Sequence, residues 1–377
     1  MKEFDYIFAG AGCAGLSMVY HLLNSPLRSK RILLIDPKIG EIPNKTWCYW
    51  AEEALPIHPK DALQSWSKFS IGTERSKKTY PLESLKYWHI NSVEFHNYVL
   101  PIIKSHDNVE IIQDSVRDIV ETDDGIEVQT SNKKFKASFI FDSRLSDSDL
   151  NSDASLKQIF AGWRVEFETP VFDSSTFSLM EVGEKTDEDF NFYYVLPYSD
   201  RSALIEFTKY DTARTNLEDL ELGIKQYLSD NYSDLEYTVT FEENGVIPMS
   251  TIKEVNASSR IIPLGTKAGW TKPSTGYTFY TIQKNCEALI QKLESGESLN
   301  IQPREKRFKF YDNILLNIAH RWPSQLKGVF LDLFQQNSAD QVFKFLGEDT
   351  SISEEIKILS RLRFGIFVKS LFSYAKH

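Results

Sequence analysis

Cysteine is scarce in this chain: Cys13, Cys48 and Cys286 are the only three in 377 residues, and none are in CxxC spacing. So few thiols exclude a disulfide framework and a thiolate metal site, and they suit a reducing compartment. Positive charge is also in deficit. Forty-three Lys and Arg stand against 53 Asp and Glu, a net charge of −10, and binding a phosphate backbone needs the opposite balance. No nucleic-acid partner is expected. Long apolar runs are missing, since no stretch reaches the ~18 uninterrupted apolar residues of a membrane span. Tyr6 to Leu23 comes nearest, but acidic Glu3 and Asp5 just ahead of it do not suit a signal peptide. His58, His89, His96 and His320 show no metal-ligand spacing, and no metal is expected.

Aromatic residues are plentiful: 25 Phe, 17 Tyr and 7 Trp. They imply large apolar surfaces, either in the core or around a bulky apolar ligand. The length allows one large domain or two ordinary ones. Charge is unevenly placed, with 12 Lys or Arg against 8 Asp or Glu in residues 301–377. Basic and aromatic residues alternate from Pro303 to Tyr311, and Phe364 to Phe372 is largely apolar. Such a surface can rest on an anionic bilayer, or it can be the outer face of packed helices. Ser143 to Ser155, dense in Ser and Asp, reads as a loop.

The first forty residues carry a complete pattern. Tyr6-Ile7-Phe8-Ala9 reads as a buried strand, followed by Gly10-Ala11-Gly12-Cys13-Ala14-Gly15 and by apolar residues at helical spacing. A second apolar run, Ile32 to Ile35, ends in Asp36. This is the βαβ dinucleotide fingerprint. Gly10 permits the tight turn, Gly12 lets the backbone approach a pyrophosphate, and Gly15 lets the helix lie close to the strand. The helix N-terminus offers free N–H groups to the phosphates, and Asp36 can accept hydrogen bonds from a ribose.

The choice between FAD and NAD rests on later segments. Phe135 to Phe141 reads as a buried strand ending in Asp142-Ser143-Arg144. Arg260 to Leu264 is another short apolar run, and Gly265, Pro273 and Gly276 follow it before a helical pattern begins near Thr278. That spacing is similar to the flavin-contacting loop of the aromatic-hydroxylase group of FAD proteins. Its helix N-terminus suits negative charge on a flavin, and FAD is the better reading.

From here the chain resembles one family nearly end to end, the flavoprotein lycopene cyclases. Asn44-Lys45-Thr46-Trp47-Cys48-Tyr49-Trp50 resembles that family's Asn-x-Arg-Thr-Trp-Cys-Phe-Trp block. Asp142-Ser143-Arg144, Gly162-Trp163 with Pro170 to Asp173, and Gly245-Val246-Ile247-Pro248-Met249 resemble three more of its blocks. Lys272-Pro273-Ser274-Thr275-Gly276-Tyr277-Thr278-Phe279 is similar to its flavin loop, and Phe345 to Thr350 to its Phe-Leu-x-Glu-x-Thr. The resemblance implies cofactor contacts at Lys45, Asp142, Arg144, Gly265, Gly269, Pro273, Thr275, Gly276 and Tyr277. Ala203-Leu204-Ile205-Glu206-Phe207-Thr208 resembles the family's acidic motif, with Phe207 where some members carry a second Glu.

Glu206 is therefore the implied catalytic acid. Alternation alone favours a surface residue on a strand whose Ile205 and Phe207 face inward; the resemblance reverses that reading. If it faces a buried pocket, desolvation keeps it protonated near neutrality, as proton delivery to an alkene requires. The resemblance implies non-redox cyclisation of lycopene ends to β-ionone rings. It also implies reduced FAD as stabiliser, NAD(P)H as electron donor, and a cytoplasmic protein peripheral on the inner face of the membrane. The rival readings are an FAD-dependent monooxygenase or reductase acting on a polyene, and a non-catalytic carotenoid-binding flavoprotein.

The expected fold is α/β. A three-layer, Rossmann-like FAD-binding domain, similar to aromatic hydroxylases and glutathione reductase, would come from residues 1–65, 95–160 and 250–300. An antiparallel substrate sheet would come from 66–94 and 160–248. Helices in 301–377 would close one side.

Overall fold

The computed structural model describes residues 1–73, 75–145, 156–183, 190–212, 215–251, 258–299 and 304–374. The Ser143–Ser155 loop falls mostly on 146–155, and Pro303 also lies outside the described residues.

The apolar run at the N-terminus forms β1 (Lys2–Ala9), the centre of a parallel sheet. It pairs with β2 (Ile32–Ile35) on one side and β11 (Lys134–Asp142) on the other, and β8 (Val109–Ile112) extends the sheet beyond β2. Within them Tyr6–Ala9, Ile32–Ile35 and Phe139–Phe141 read as unbroken apolar runs because both faces are covered, and Ile7, Phe8, Leu33, Leu34 and Ile140 are wholly buried. One edge of β11 serves two partners. Its first half pairs with β10 (Gly125–Thr130), which turns back to β9 (Val116–Thr122), and its last three residues pair with β17 (Ile261–Pro263). Helix α1 (Cys13–Leu23) packs against α2 (Ser92–Lys104) and against α4 (Phe279–Ser295).

A second seven-stranded sheet runs in the order β16 (Tyr237–Pro248), β12 (Lys157–Phe167), β15 (Ser202–Asp211), β14 (Phe190–Pro197), β13 (Phe177–Val182), β5 (Lys68–Thr73), β6 (Ser76–Pro81). The expected antiparallel sense holds with one correction: β13 and β5 are parallel. The β5–β6 hairpin arrives from a distant part of the chain, so no tight turn dictates its sense. Residues β3 (Thr46–Ala51), β7 (Lys86–Asn91) and β4 (Gln64–Trp66) form a separate three-stranded sheet.

Both faces of the large sheet are covered. Helix α3 (Leu217–Tyr232) lies on one, where Leu220 and Ile224 meet Ala161, Trp163 and Ile205. Helices α5 (Lys306–Arg321), α6 (Pro323–Gln336) and α7 (Ala339–Leu346) approach the other, with Phe330, Phe334 and Phe343 among Leu204, Phe177 and Phe190. Two shorter helices, α8 (Ile352–Leu359) and α9 (Phe364–Phe372), complete the C-terminal group. No helix among the described residues is long and apolar enough to cross a membrane.

A buried ion cluster ties these helices to the Lys272–Phe279 loop. Lys272 Nζ lies 3.1 Å from Asp312 and 3.0 Å from Glu348, and Arg304 reaches both acids. Removing one partner of such a cluster strands the others in low dielectric. Lys272→Met should lower stability by about 3 kcal/mol, read as a lower urea midpoint with unchanged slope; an unshifted midpoint would count against the cluster's structural role.

Candidate functional site

Two glycine-bearing turns converge at the C-terminal ends of the parallel strands. In the first, Gly10 has φ +107 and Gly15 is pressed against it, so a Cβ on Gly15 would meet the Gly10 carbonyl oxygen at 2.1 Å. Gly12 differs: among the described residues nothing lies within 4 Å of a Cβ placed there. Helix α1 starts behind Gly12 with no side-chain cap and no acid in its first turn, so its N–H groups are left for an anion. Asp36 fastens the turn, accepting the Ala11 amide at 2.8 Å and the Lys38 amide at 2.7 Å.

The second turn follows β17. Gly265 (φ +60) is so close to α1 that its Cβ would lie 2.8 Å from that of Ala14. A short 3-10 turn ends at Gly269 (φ +72), Pro273 is buried, and Gly276 (φ +78) returns its amide to the Lys272 carbonyl at 2.8 Å. Helix α4 then begins, again without a side-chain cap. The buried Thr275 hydroxyl has no hydrogen-bond partner among the described residues. An open glycine, two uncapped helix starts and an orphaned hydroxyl fit a flavin dinucleotide.

The turns open into one cavity of about 490 Å³, which runs from Gly12 at the start of α1 to Phe330, Phe334 and Phe343 on α6 and α7. Of the residues singled out from the sequence, Gly12, Lys45, Glu206, Gly265, Thr275, Gly276 and Tyr277 line it. Gly10, Gly15, Asp36, Gly269 and Pro273 do not line it. Asp142 and Arg144 are not on the wall either. Arg144 and Lys267 both pair with the buried Asp142 carboxylate, and Arg144 also donates to the Val116 carbonyl at 2.7 Å. Burial pushes the Asp142 carboxyl up, but these two cations outweigh it and hold it below its usual range. Ser143 between them does line the cavity.

Glu206 lies in mid-strand on β15, and adjacent strand residues point to opposite faces. Leu204, Glu206, Thr208 and Tyr210 share the cavity face, whereas Ile205 and Phe207 pack beneath α3. The accessible surface of Glu206 is therefore cavity surface. Burial, and then the negative charge of Glu243, raise its carboxyl to about 8; a hydrogen bond from Thr208 at 2.7 Å and the Lys45 ammonium oppose this. Three phenols and a thiol stand beside it in one chain. The Tyr194 hydroxyl lies 3.2 Å from Cys48 Sγ and 2.9 Å from the Tyr87 hydroxyl, with one proton to give to either, and Tyr87 and Tyr277 share a hydrogen bond of 2.8 Å. Burial pushes all three phenols up and Cys48 up to about 12, so they are neutral near pH 7. Among the described residues no group of three or more His, Cys, Asp or Glu gathers as a metal site.

One acid on the wall carried no role in the sequence reading. Glu243 sits in β16 among residues that are otherwise exposed or partly exposed, and it is itself buried. The signal available in the sequence was a Glu-Glu pair, Glu242-Glu243, just ahead of the Gly245–Met249 block; the strand's facing selects the second.

Fold and site define a flavoprotein of the FAD-binding, Rossmann-like class. Three solved structures share the fold over nearly the whole chain. A geranylgeranyl bacteriochlorophyll reductase-like protein from Thermoplasma acidophilum has a TM-score of 0.65 at 12% identity, with 99% of each chain covered. The flavin-dependent brominase Bmp2 scores 0.62 at 11% identity over 99% of each chain. A flavoprotein/dehydrogenase from Cytophaga hutchinsonii scores 0.61 at 11% identity, covering 99% of this chain and 100% of its own. A search of the curated proteins finds no match. The model of the lycopene cyclase protein family matches residues 5–375, and the chain belongs to that family.

Proposed function

We propose that this protein cyclises the end groups of lycopene to β-ionone rings without net redox change. The observation that carries the reading is a raised carboxyl, Glu206, on the wall of an apolar cavity continuous with the flavin-type turns. A neutral carboxylic acid can protonate the terminal alkene, whose closure onto the next double bond leaves a tertiary cation. The apolar walls exclude water that would capture that cation. Gly12, Gly265, Thr275, Gly276 and Tyr277 would hold FAD beside this space, with Asp36 behind the turn. Bound and reduced, the flavin supplies negative charge that favours a developing cation. NAD(P)H is the proposed donor that keeps it reduced. The fall in protonated Glu206 sets the alkaline limit: activity should decline as pH rises through about 8.

The test is anaerobic incubation with lycopene in liposomes, with FAD held reduced or oxidised. Cyclised isomers formed only with reduced FAD are expected. Stoichiometric NADPH consumption with hydrogenated or oxygenated products would replace this reading with a redox enzyme.

A polyene dissolved in a bilayer must be collected from it, and α9 offers a surface for that contact. Phe364, Val368, Leu371 and Phe372 are exposed at helical spacing, Phe372 at 87%, with Lys369 and Arg363 alongside. Ser370 anchors the opposite side through Asn317 and the Ile314 carbonyl. The reading is peripheral docking on the inner, anionic face of the membrane. Exchanging Leu371 and Phe372 together for Asp should cut binding to anionic vesicles by about tenfold or more, measured by co-sedimentation; unchanged binding would place the docking face elsewhere.

A further inference from the structure

The cavity contains two carboxylates in one row. Strand β12 runs between β15 and β16, antiparallel to both, and Gly162 is paired with Glu206 on one side and Glu243 on the other. Directly paired residues project to the same face, and both acids line the cavity. Gly162 leaves the gap between them clear. A Cβ there would stand 3.5 Å from the Glu206 Cβ and 3.3 Å from the Glu243 Cγ.

The two acids have different surroundings. Burial pushes the Glu243 carboxyl up, but hydrogen bonds from Thr46 and the Lys45 charge draw it back. Its Oε2 accepts the Thr46 amide at 2.9 Å, while its buried Oε1 has no hydrogen-bond partner among the described residues. Among the described residues Glu206 takes one hydrogen bond, from the Thr208 hydroxyl. Like carboxyls this close in low dielectric do not both ionise readily. Glu243 is thus the first to lose its proton, and Glu206 keeps its own. The groups facing them include Cys48, Tyr194, Tyr87, Tyr277 and Tyr198, all neutral, and the cation Lys45.

We propose that Glu206 and Glu243 act as one acid–base pair across Gly162: Glu206 gives the proton that starts ring closure, and Glu243 takes the proton the ring gives up. The proposal rests on the cyclisation reading above. The Glu206 O–H bond breaks as a C–H bond forms at the terminal alkene, and the next double bond supplies the electrons of the ring C–C bond. A C–H bond beside the resulting cation then breaks. Its electron pair becomes the ring double bond, and its proton goes to Glu243. Return of that proton across Gly162 restores the pair, so no proton or electron is consumed and the product is an isomer.

The pair also accounts for Phe207. Position 207 faces away from the cavity, and its ring lies where a Cβ on Gly223 of α3 would meet it at 2.4 Å. A carboxylate there could not reach the substrate. In this chain the second acid comes from two strands away.

The test compares Glu243→Gln and Glu243→Asp with the parent and Glu206→Gln, all as FAD-loaded proteins. Cyclisation is followed against pH in lycopene liposomes, and the protonated-carboxyl band is titrated by infrared spectroscopy without substrate. Glu243→Gln should keep its flavin, cyclise roughly a hundredfold more slowly, and titrate Glu206 at lower pH. Glu243→Asp should regain part of the rate and the parental titration. An unchanged rate and titration in Glu243→Gln would overturn the pair and leave Glu206 acting alone. If the parent makes no cyclised product, the function reading fails by itself. The infrared shift then still decides whether the two acids are coupled.

Discussion

Glu206→Gln should stop cyclisation, by roughly a thousandfold or more, while flavin stays bound. Gln matches Glu in size and can still accept the Thr208 hydrogen bond. It has no acidic proton to give. The Glu206 carboxylate takes its hydrogen bond from Thr208 on its own strand and not from either glycine turn, so the flavin absorbance of the purified variant should equal that of the parent. The same substitution should not weaken the fold. The Glu206 carboxyl titrates at about 8 in the folded chain against 4.5 as its ordinary value, so folding stability falls as pH rises between those values. Above the folded value the native state holds a buried charge, and Gln removes it. The urea midpoint of Glu206→Gln at pH 8 should therefore match or exceed the parent's while activity is lost. Cyclisation at the parent's rate would remove Glu206 from the chemistry. Lost activity together with a lowered midpoint would assign it a structural role.

Gly12→Val and Gly15→Ala should fail in different ways. Gly12 has φ −76 and ψ −173, which any L-residue adopts, and a Cβ there meets none of the described residues within 4 Å. Gly12→Val should fold with the parent's urea midpoint. Its side chain would occupy the space beside the helix start where a pyrophosphate approaches. The protein should emerge colourless, with FAD affinity reduced by about a hundredfold or more, equivalent to roughly 3 kcal/mol. At Gly15 the added Cβ would lie 2.1 Å from the Gly10 carbonyl oxygen, so α1 must move off β1. Gly15→Ala should lose about 3 kcal/mol or more of stability and its flavin with it. A yellow Gly12→Val would show that the ligand does not approach that backbone.

The features readable in advance were those carried by contiguous residues. A strand, three glycines at fixed spacing, an amphipathic helix and a terminal acid are local, and the same is true of the Gly265–Gly276 turn. Their backbone demands are met within a few residues, so sequence order alone reveals them. Leu204–Phe207 was readable as a strand for the same reason, and alternation puts Ile205 and Phe207 on one face, which α3 covers in the structure. Alternation could not say what covered the other face. That depended on helices α5 to α7, a hundred or more residues later in the chain, which turn what would be a solvated face into a cavity wall.

Glu243 shows the same division more sharply. Nothing within β16 distinguishes it from Glu242 except which way it faces, and facing is set by pairing with β12. Its nearness to Glu206 comes from a third strand with a glycine at the crossing point. The Asp142–Arg144–Lys267 and Lys272–Asp312–Glu348 clusters likewise join residues far apart in the chain. By itself the sequence determined the family, the nucleotide-type turns and the strand that carries Glu206, because each is written in neighbouring residues. Tertiary structure alone decided that this acid is desolvated and has a second carboxylate beside it, because burial and charge coupling depend on distance in space and not on separation along the chain.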